Sequence, residues 1–254
     1  MRVYRGFYDV PRFDGAVATV GSFDGVHQGH AVLLSELLKC ASRDSLTSVV
    51  LTFEPHPRVV LGRADGLKLL MSLEEKLDVL EQMGVDCVIV IPFDREFSRV
   101  SYYDFVKEYL INKLGVSTIV VGYNHQIGRD SEGNYSSLVR LSGECGVEIC
   151  RVDEFVDETE GCKVSSTIVR DHLLRGEITR ATQLLQRPYV VMGRADDGGR
   201  VWYDEPLKLI PAAGRYAVEI NGEESQIEID DNGVVMCDHS KEVVVIRMSQ
   251  DPQK

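Results

Sequence analysis

Two histidines, His27 and His30, sit three residues apart in the glycine-rich run Gly21-Ser22-Phe23-Asp24-Gly25-Val26-His27-Gln28-Gly29-His30. An apolar stretch, Ala16 to Val20, leads into it, and Leu33, Leu34, Leu37 and Leu38 follow at the spacing of one buried helix face. This pattern predicts a strand, a turn and a helix, with both imidazoles near the first helical turn, where residues three apart lie side by side. Unpaired backbone N–H groups and the positive end of the helix dipole favour an anion there. Gly21, Gly25 and Gly29 lack a Cβ, so the main chain can approach a phosphate closely. A structural corner with chance histidines is the plainer reading, but paired imidazoles in this setting favour phosphate chemistry.

A second group, Ser165-Ser166-Thr167-Ile168-Val169-Arg170, opens another helical run. Hydroxyls at a helix start cap its backbone, and three of them with an arginine one turn on can also donate to phosphate oxygens. Alone, this is an ordinary cap with a surface arginine; beside the histidine box it becomes a candidate second half of one site. Phe53-Glu54-Pro55-His56-Pro57-Arg58 closes a predicted strand, and its two prolines fix an extended loop. His56 reads equally well as structural. Val120-Val121-Gly122-Tyr123-Asn124 ends a further strand, with Gly128-Arg129 just beyond.

The His-x-Gly-His box resembles the signature of the nucleotidyltransferase superfamily. The longer string Gly-x-Phe-Asp-Gly-Val-His-x-Gly-His is similar to its FMN adenylyltransferase (FAD synthetase) branch, a module that in bacteria usually precedes a riboflavin kinase domain. The resemblance covers roughly residues 14–187 with four segments in order. It implies a Rossmann-like α/β fold and transfer of AMP from ATP to FMN, giving FAD and pyrophosphate with Mg²⁺. It also implies ATP binding by Gly21, Ser22, Phe23, Asp24, Gly25, His27, His30, Ser165, Ser166, Thr167 and Arg170. Of these, His27, His30, Ser166, Thr167 and Arg170 would carry catalysis, and Phe53, Pro55, His56, Pro57, Asn124 and Arg129 would hold the flavin. The metal ligands stay open, because magnesium often keeps its waters and takes substrate phosphates. Two departures stand out. Relatives often have Phe-Arg-Phe-Gly where this chain has His125-Gln126-Ile127-Gly128, and an arginine where it has Ile168. Each removes a positive charge near the expected phosphates.

The elements that must position these residues alternate. Strand-like runs at Ala16–Val20, Ser48–Phe53, Cys87–Ile91, Thr118–Val121 and Val147–Val152 are separated by helical patterns. Ser72-Leu73-Glu74-Glu75 is a capping box, Ser101 opens a helix ended by Gly115, and Tyr135–Gly143 forms a weaker helical pattern. Such alternation argues for a parallel sheet covered on both faces, with ligands at the carboxyl ends of its strands. Arg187-Pro188 breaks the pattern, and short strand candidates divided by Asp197-Gly198-Gly199, Asn221-Gly222 and Asp231-Asn232-Gly233 follow. The expected organisation is a transferase domain over 1–187 and a small antiparallel β domain over 188–254. This second part resembles a truncated riboflavin kinase barrel; Gly193-Arg194 and Pro211…Gly214-Arg215 look like remnants without the Pro-Thr-Ala-Asn phosphate loop between them. Kinase activity is therefore expected to be absent.

The 254 residues are 44% apolar, enough for a good core, and carry a formal charge of −12. The tail contributes half of that, with 7 Lys/Arg against 13 Asp/Glu, a net of −6. No basic tract suits nucleic acid or an anionic membrane. The start has no apolar signal region and no stretch approaches a membrane span, so a cytoplasmic protein is expected. Six scattered cysteines without a Cys-x-x-Cys pair read as reduced thiols, and a zinc site is not expected. P-loop, His-Glu-x-x-His and Gly-x-Ser-x-Gly patterns are lacking. Two other functions stay open: adenylylation of another phosphomonoester, and nucleotide or flavin binding without turnover. The sequence is silent on oligomeric state.

Overall fold

The computed structural model describes the chain except residues 158–160, 204–205, 238–242 and 253–254, and the side chains of Ser131 and Cys162. The chain divides into two compact units. The first contains 1–23, 29–65 and 77–155; the second contains 24–28, 66–76 and 156–254.

The first unit is built on six strands: β1 (Arg2–Arg5), β2 (Ala16–Val20), β3 (Thr47–Glu54), β4 (Cys87–Pro92), β5 (Val116–Gly122) and β6 (Glu148–Val152). All neighbours are parallel, in the order β1-β4-β3-β2-β5-β6. β2, β4 and the middle of β3 are buried runs, as expected of parallel strands covered on both faces. The order reverses between β2 and β5, so the carboxyl ends of these strands form the crevice where this architecture takes ligands. The five strands expected from sequence are all present; β1 is an addition, its short alternating segment having too little apolar pattern to be read as a strand.

The helices are α1 (Gln28–Asp44), α2 (Pro57–Val60), α3 (Leu73–Gln82), α4 (Tyr102–Asp104), α5 (Tyr135–Cys145), α6 (Ser166–Leu174) and α7 (Ile178–Leu185). The capping box of α3 forms as read: Ser72 N donates to Glu75 Oε2 at 2.9 Å and Glu75 N donates to Ser72 Oγ at 3.2 Å. The helix expected from Ser101 to Gly115 is one α turn followed by a π-helix, Phe105–Leu114. Its buried residues Phe105, Val106, Leu110 and Leu114 recur every four to five positions, which suits an i→i+5 ladder better than a 3.6 period. Gly115 ends it at φ 77°, where a Cβ would meet the Phe13 carbonyl oxygen at 2.3 Å.

The second unit holds α6, α7, a hairpin of β7 (Val156–Asp157) and β8 (Cys162–Lys163), and a six-stranded antiparallel sheet. The sheet's strands are β9 (Tyr189–Ala195), β10 (Val201–Trp202), β11 (Gly214–Ile220), β12 (Glu223–Ile229), β13 (Val235–Cys237) and β14 (Val243–Met248), ordered β10-β9-β14-β11-β12-β13. Its two edges meet through a bridge between Arg200 and Met236 and a Cys237 N–H donated to Gly199 O at 2.9 Å, so the sheet nearly closes into a barrel. Among the described residues no helix is long and apolar enough to cross a membrane.

Candidate active site

The turn after β2 is held in a conformation that few side chains adopt. Phe23 (φ 49°), Gly25 (φ 86°) and Val26 (φ 37°) all lie in the left-handed region. Phe23 and Val26 are nearly fully buried, and a β-branched residue at positive φ needs its surroundings to hold it. A Cβ on Gly25 would sit 2.5 Å from Leu70 Cδ1, so close packing also fixes this glycine.

Within the second unit, residues 24–28 are tied down from several directions. The Asp24 carboxylate accepts from Leu70 N at 2.8 Å and from the Arg170 guanidinium at 2.8 Å. Ser166 Oγ donates to Asp24 O at 2.7 Å, and Arg170 Nε donates to Lys68 O at 2.6 Å. Arg187 donates to the carbonyls of Val26 and Leu185 at 2.9 Å each, and to Gly25 O. Gln28 reaches Gln183 O at 3.2 Å. Two segments far apart in sequence, 24–28 and 165–170, are thus stitched together. Asp24 faces inward, and Arg170 spends two of its donors on Asp24 and Lys68. Ser165 caps α6, accepting from Ile168 N at 3.4 Å, while Thr167 is exposed.

His27 is 6% exposed. Burial, then the charges of Arg187 and Lys163, lower its pKa to about 4, so at neutral pH it is an uncharged imidazole. Arg187 is itself lowered to about 10 by burial, which leaves it a cation. Arg187 and Lys163 are the two positive charges near His27 that sequence reading passed over. Their signal was only their place, just before Pro188 and two residues ahead of Ser165.

The titration of His27 has a consequence for stability. Between about pH 4 and 6.5 the unfolded chain binds a proton that the folded chain does not, so stability is complete above 6.5 and falls as pH drops. The slope from this group is about 1.4 kcal/mol per pH unit. Urea unfolding at pH 5 and 7 should therefore show a smaller pH difference in His27→Gln than in the wild type; equal differences would contradict the burial-driven shift.

In the first unit, His30 packs against Phe23 with ring centroids 5.2 Å apart. A cavity of about 610 Å³ opens at the carboxyl ends of β2, β3, β4 and β5. Gly21, Ser22, Phe53, Pro57, Asn124 and Arg129 from the sequence-based set line it; Pro55 and His56 do not. His56 caps α2 instead, its Nδ1 accepting from Arg58 N at 3.2 Å. Aromatic contacts run from Phe53 to Phe93 (5.3 Å), Phe93 to Phe97 (6.0 Å) and Phe97 to Phe105 (6.0 Å), and all four rings line the cavity. Arg63 and Arg99 join Arg129 on the lining. His125 lines it too; its Nε2 is buried with no partner among the described residues, and burial lowers its pKa to about 4. Gly128, at φ 78°, lets the backbone pass Tyr102, whose N would lie 2.4 Å from a Cβ there. The size is that of a small-molecule site, with an apolar aromatic wall and a few polar groups. Among the described residues, one group of three metal-ligating side chains comes together: Glu36, Cys40 and Cys150. Its thiols are unsuited to magnesium.

The FAD synthetase family profile matches residues 10–168. A bifunctional riboflavin kinase/FMN adenylyltransferase from Escherichia coli (strain K12) is 33% identical over 233 residues, 87% of this chain and 74% of that protein. The protein of the same description from Listeria monocytogenes is 35% identical over 221 residues, 82% of this chain and 69% of its own. For the Buchnera aphidicola relative, 30% identical over 202 residues, the chain spans 64% of its length. The crystal structure of a protein described as a macrolide-efflux protein from Streptococcus pneumoniae matches all of this chain and 92% of its own with a TM-score of 0.83; at 22% identity that likeness speaks of fold alone. With the family profile matching more than half of its length, the chain belongs to the FAD synthetase family.

Proposed function

We infer that this chain is an FMN adenylyltransferase, joining MgATP and FMN into FAD and pyrophosphate. The observation that supports the reading is the stitching of Asp24–Gln28 to the hydroxyl-bearing start of α6, two segments that on this reading form a phosphate cradle. Nucleotidyl transfer asks little covalent work of a protein. The FMN phosphate attacks the α-phosphorus in line, and the barrier falls through alignment and through donors aimed at the developing charge. His27, His30, the α6 start and the turn's backbone N–H groups supply such donors. Arg187 and Lys163 supply the positive field that Ile168 does not. Asp24 and Arg170 act on the nucleotide through the turn they hold. Mg²⁺ enters with the triphosphate, keeping its waters.

The cavity in the first unit supports the flavin part of the reading: its aromatic wall suits a planar ring, and Asn124 and Arg129 on its lining offer polar groups. His56 serves α2 rather than the flavin. All the residues given roles in the transfer chemistry lie in 1–187, which remains the proposed transferase domain; the barrel of 188–254 does not phosphorylate riboflavin. The −12 charge makes nucleic acid an unsuitable partner, and the reaction belongs in the cytoplasm, where ATP is plentiful and thiols stay reduced.

The test is a pyrophosphate-release assay with ATP and FMN, competing phosphomonoesters, and riboflavin in separate arms. FMN should be consumed with FAD formed, riboflavin should not yield FMN, and Asn124→Ala should raise the KM for FMN more than that for ATP. Preference for a different phosphomonoester, or binding without pyrophosphate release, would overturn the assignment.

A further inference from the structure

Outside the cavity and the cradle, the first unit gathers one carboxylate and two thiols from distant parts of the chain. Glu36 and Cys40 are four residues apart on α1 and share a face; Cys150 lies on β6 at the sheet edge. Glu36 Oε1 is 3.7 Å from Cys40 Sγ and 3.7 Å from Cys150 Sγ, and all three ligand atoms lie within 4.8 Å of one another. The other carboxylate oxygen, Oε2, takes Lys39 Nζ at 3.2 Å, which leaves Oε1 facing the sulfurs. We propose that Glu36, Cys40 and Cys150 bind a thiophilic divalent cation of the Zn²⁺ class, with water as the fourth ligand.

The spacing already suits such an ion. Tetrahedral zinc, with Zn–S about 2.3 Å and Zn–O about 2.1 Å, places sulfur and oxygen about 3.6 Å apart and two sulfurs about 3.8 Å apart. The 3.7 Å separations therefore need little movement. Cys40 is buried while Glu36 and Cys150 are half-buried, so there is a dry side and an open side where water completes the shell. Without a cation the thiols stay protonated: burial, and then neighbouring negative charge, raise Cys150 to about 11, and burial raises Cys40 as well. A divalent ion reverses that balance, since binding forms two metal–thiolate bonds and releases two protons while the carboxylate keeps its charge. Two sulfurs among three protein ligands exclude magnesium and calcium, so the site does not draw on the cation that accompanies ATP. Cation binding would join α1, which carries His30, to the edge strand β6. Sequence spacing hid the group, because the two cysteines come from segments far apart in the chain.

Cobalt(II) titration of the full-length, reduced and metal-stripped chain tests the site. One equivalent should give the intense visible bands of tetrahedral Co²⁺ with thiolate-to-metal charge transfer, and Zn²⁺ should abolish them. Cys40→Ser and Cys150→Ser should each lose the charge-transfer signal, and Cys145→Ser, a half-buried thiol elsewhere, should keep it. Glu36→Gln retains both thiols and should weaken Co²⁺ binding by at least about tenfold. Should a cysteine variant fail to fold, Glu36→Gln decides alone: Zn²⁺ should raise the Tm of the wild type more than that of this variant. No tetrahedral signal in the wild type, or the same affinity in Glu36→Gln, would refute the site. None of these readouts involves FAD synthesis, so they stand or fall apart from the transferase assignment.

Discussion

His27→Ala and His30→Ala should each lower the rate of FAD formation by about 10²–10³, the usual cost of removing one pre-positioned donor from a developing oxyanion. His27 is held neutral, so the contribution expected of it is that of a hydrogen-bond donor rather than a full charge. Its backbone is fixed by Arg187 on Gly25 and Val26 and by Gln28 on Gln183, so substitution removes the ring while leaving the turn anchored. His30 stands on the first turn of α1 with Phe23 beside it, and its loss opens no deep core position. The loss should fall mainly on kcat, because the donors act most strongly on charge that appears in the transition state. The KM for FMN should change little, since neither histidine lines the aromatic cavity. Steady-state assays of the purified variants with fluorescence detection of FAD supply the measurement. Turnover within about threefold of wild type in either variant would remove that histidine from the chemistry.

Glu75→Ala should destabilise the chain by about 3–5 kcal/mol, the range for breaking a buried ion pair from one side. Glu75 and Lys208 are 3% and 4% exposed, and Lys208 Nζ donates to Glu75 Oε2 at 2.5 Å, Val190 O at 2.7 Å and Leu70 O at 2.8 Å. Glu75 in turn accepts Met192 N at 2.9 Å and Ser72 N at 2.9 Å. Removing the carboxylate strands two half-buried N–H donors and a buried ammonium whose pKa burial already pushes down. The ammonium can escape by losing its proton, at a cost of about 1.4 kcal/mol per unit between pH 7 and its ordinary value near 10.4, so about 5 kcal/mol is the ceiling. In that state the unfolded chain binds the extra proton, and the variant should regain stability as pH rises from 7 to 9. Replacing both partners with apolar residues of similar size, Glu75→Leu with Lys208→Met, should recover a large part of the loss. Urea unfolding measures all three chains. A loss below 1 kcal/mol for Glu75→Ala would mean that the pair is solvated.

The periodic parts of this fold were legible because their causes are local. Ala16–Val20 and Cys87–Ile91 are unbroken apolar runs, the Ser72–Glu75 box is written in four residues, and the tail's strands are divided by turn residues. The turn that carries Asp24 and the Ser165–Arg170 cap read as two candidate phosphate-binding segments, and hydrogen bonds do join them. Other features have no local signature. That Asp24 turns inward to Leu70 N and Arg170 depends on segments more than forty residues away. Arg187 reads as the residue before a proline and acts as the anchor of the turn. The same holds for Phe93 and Phe97, whose place on the cavity wall follows from strand order, and for Cys150, which comes to α1 only once β6 has joined the sheet edge. His56 shows the reverse: a suggestive residue type that local geometry uses as a helix cap.

Lys208 grips the carbonyl of Leu70, whose own N–H holds Asp24. On the proposed reading, the catalytic piece must accordingly be longer than the 10–168 stretch that the family profile matches. A gene fragment trimmed at 168 would leave out Arg170 and Arg187 and free the loop at 66–76 from its barrel. The last third of this polypeptide therefore has a mechanical task, holding the turn in place, whatever chemistry it carries itself.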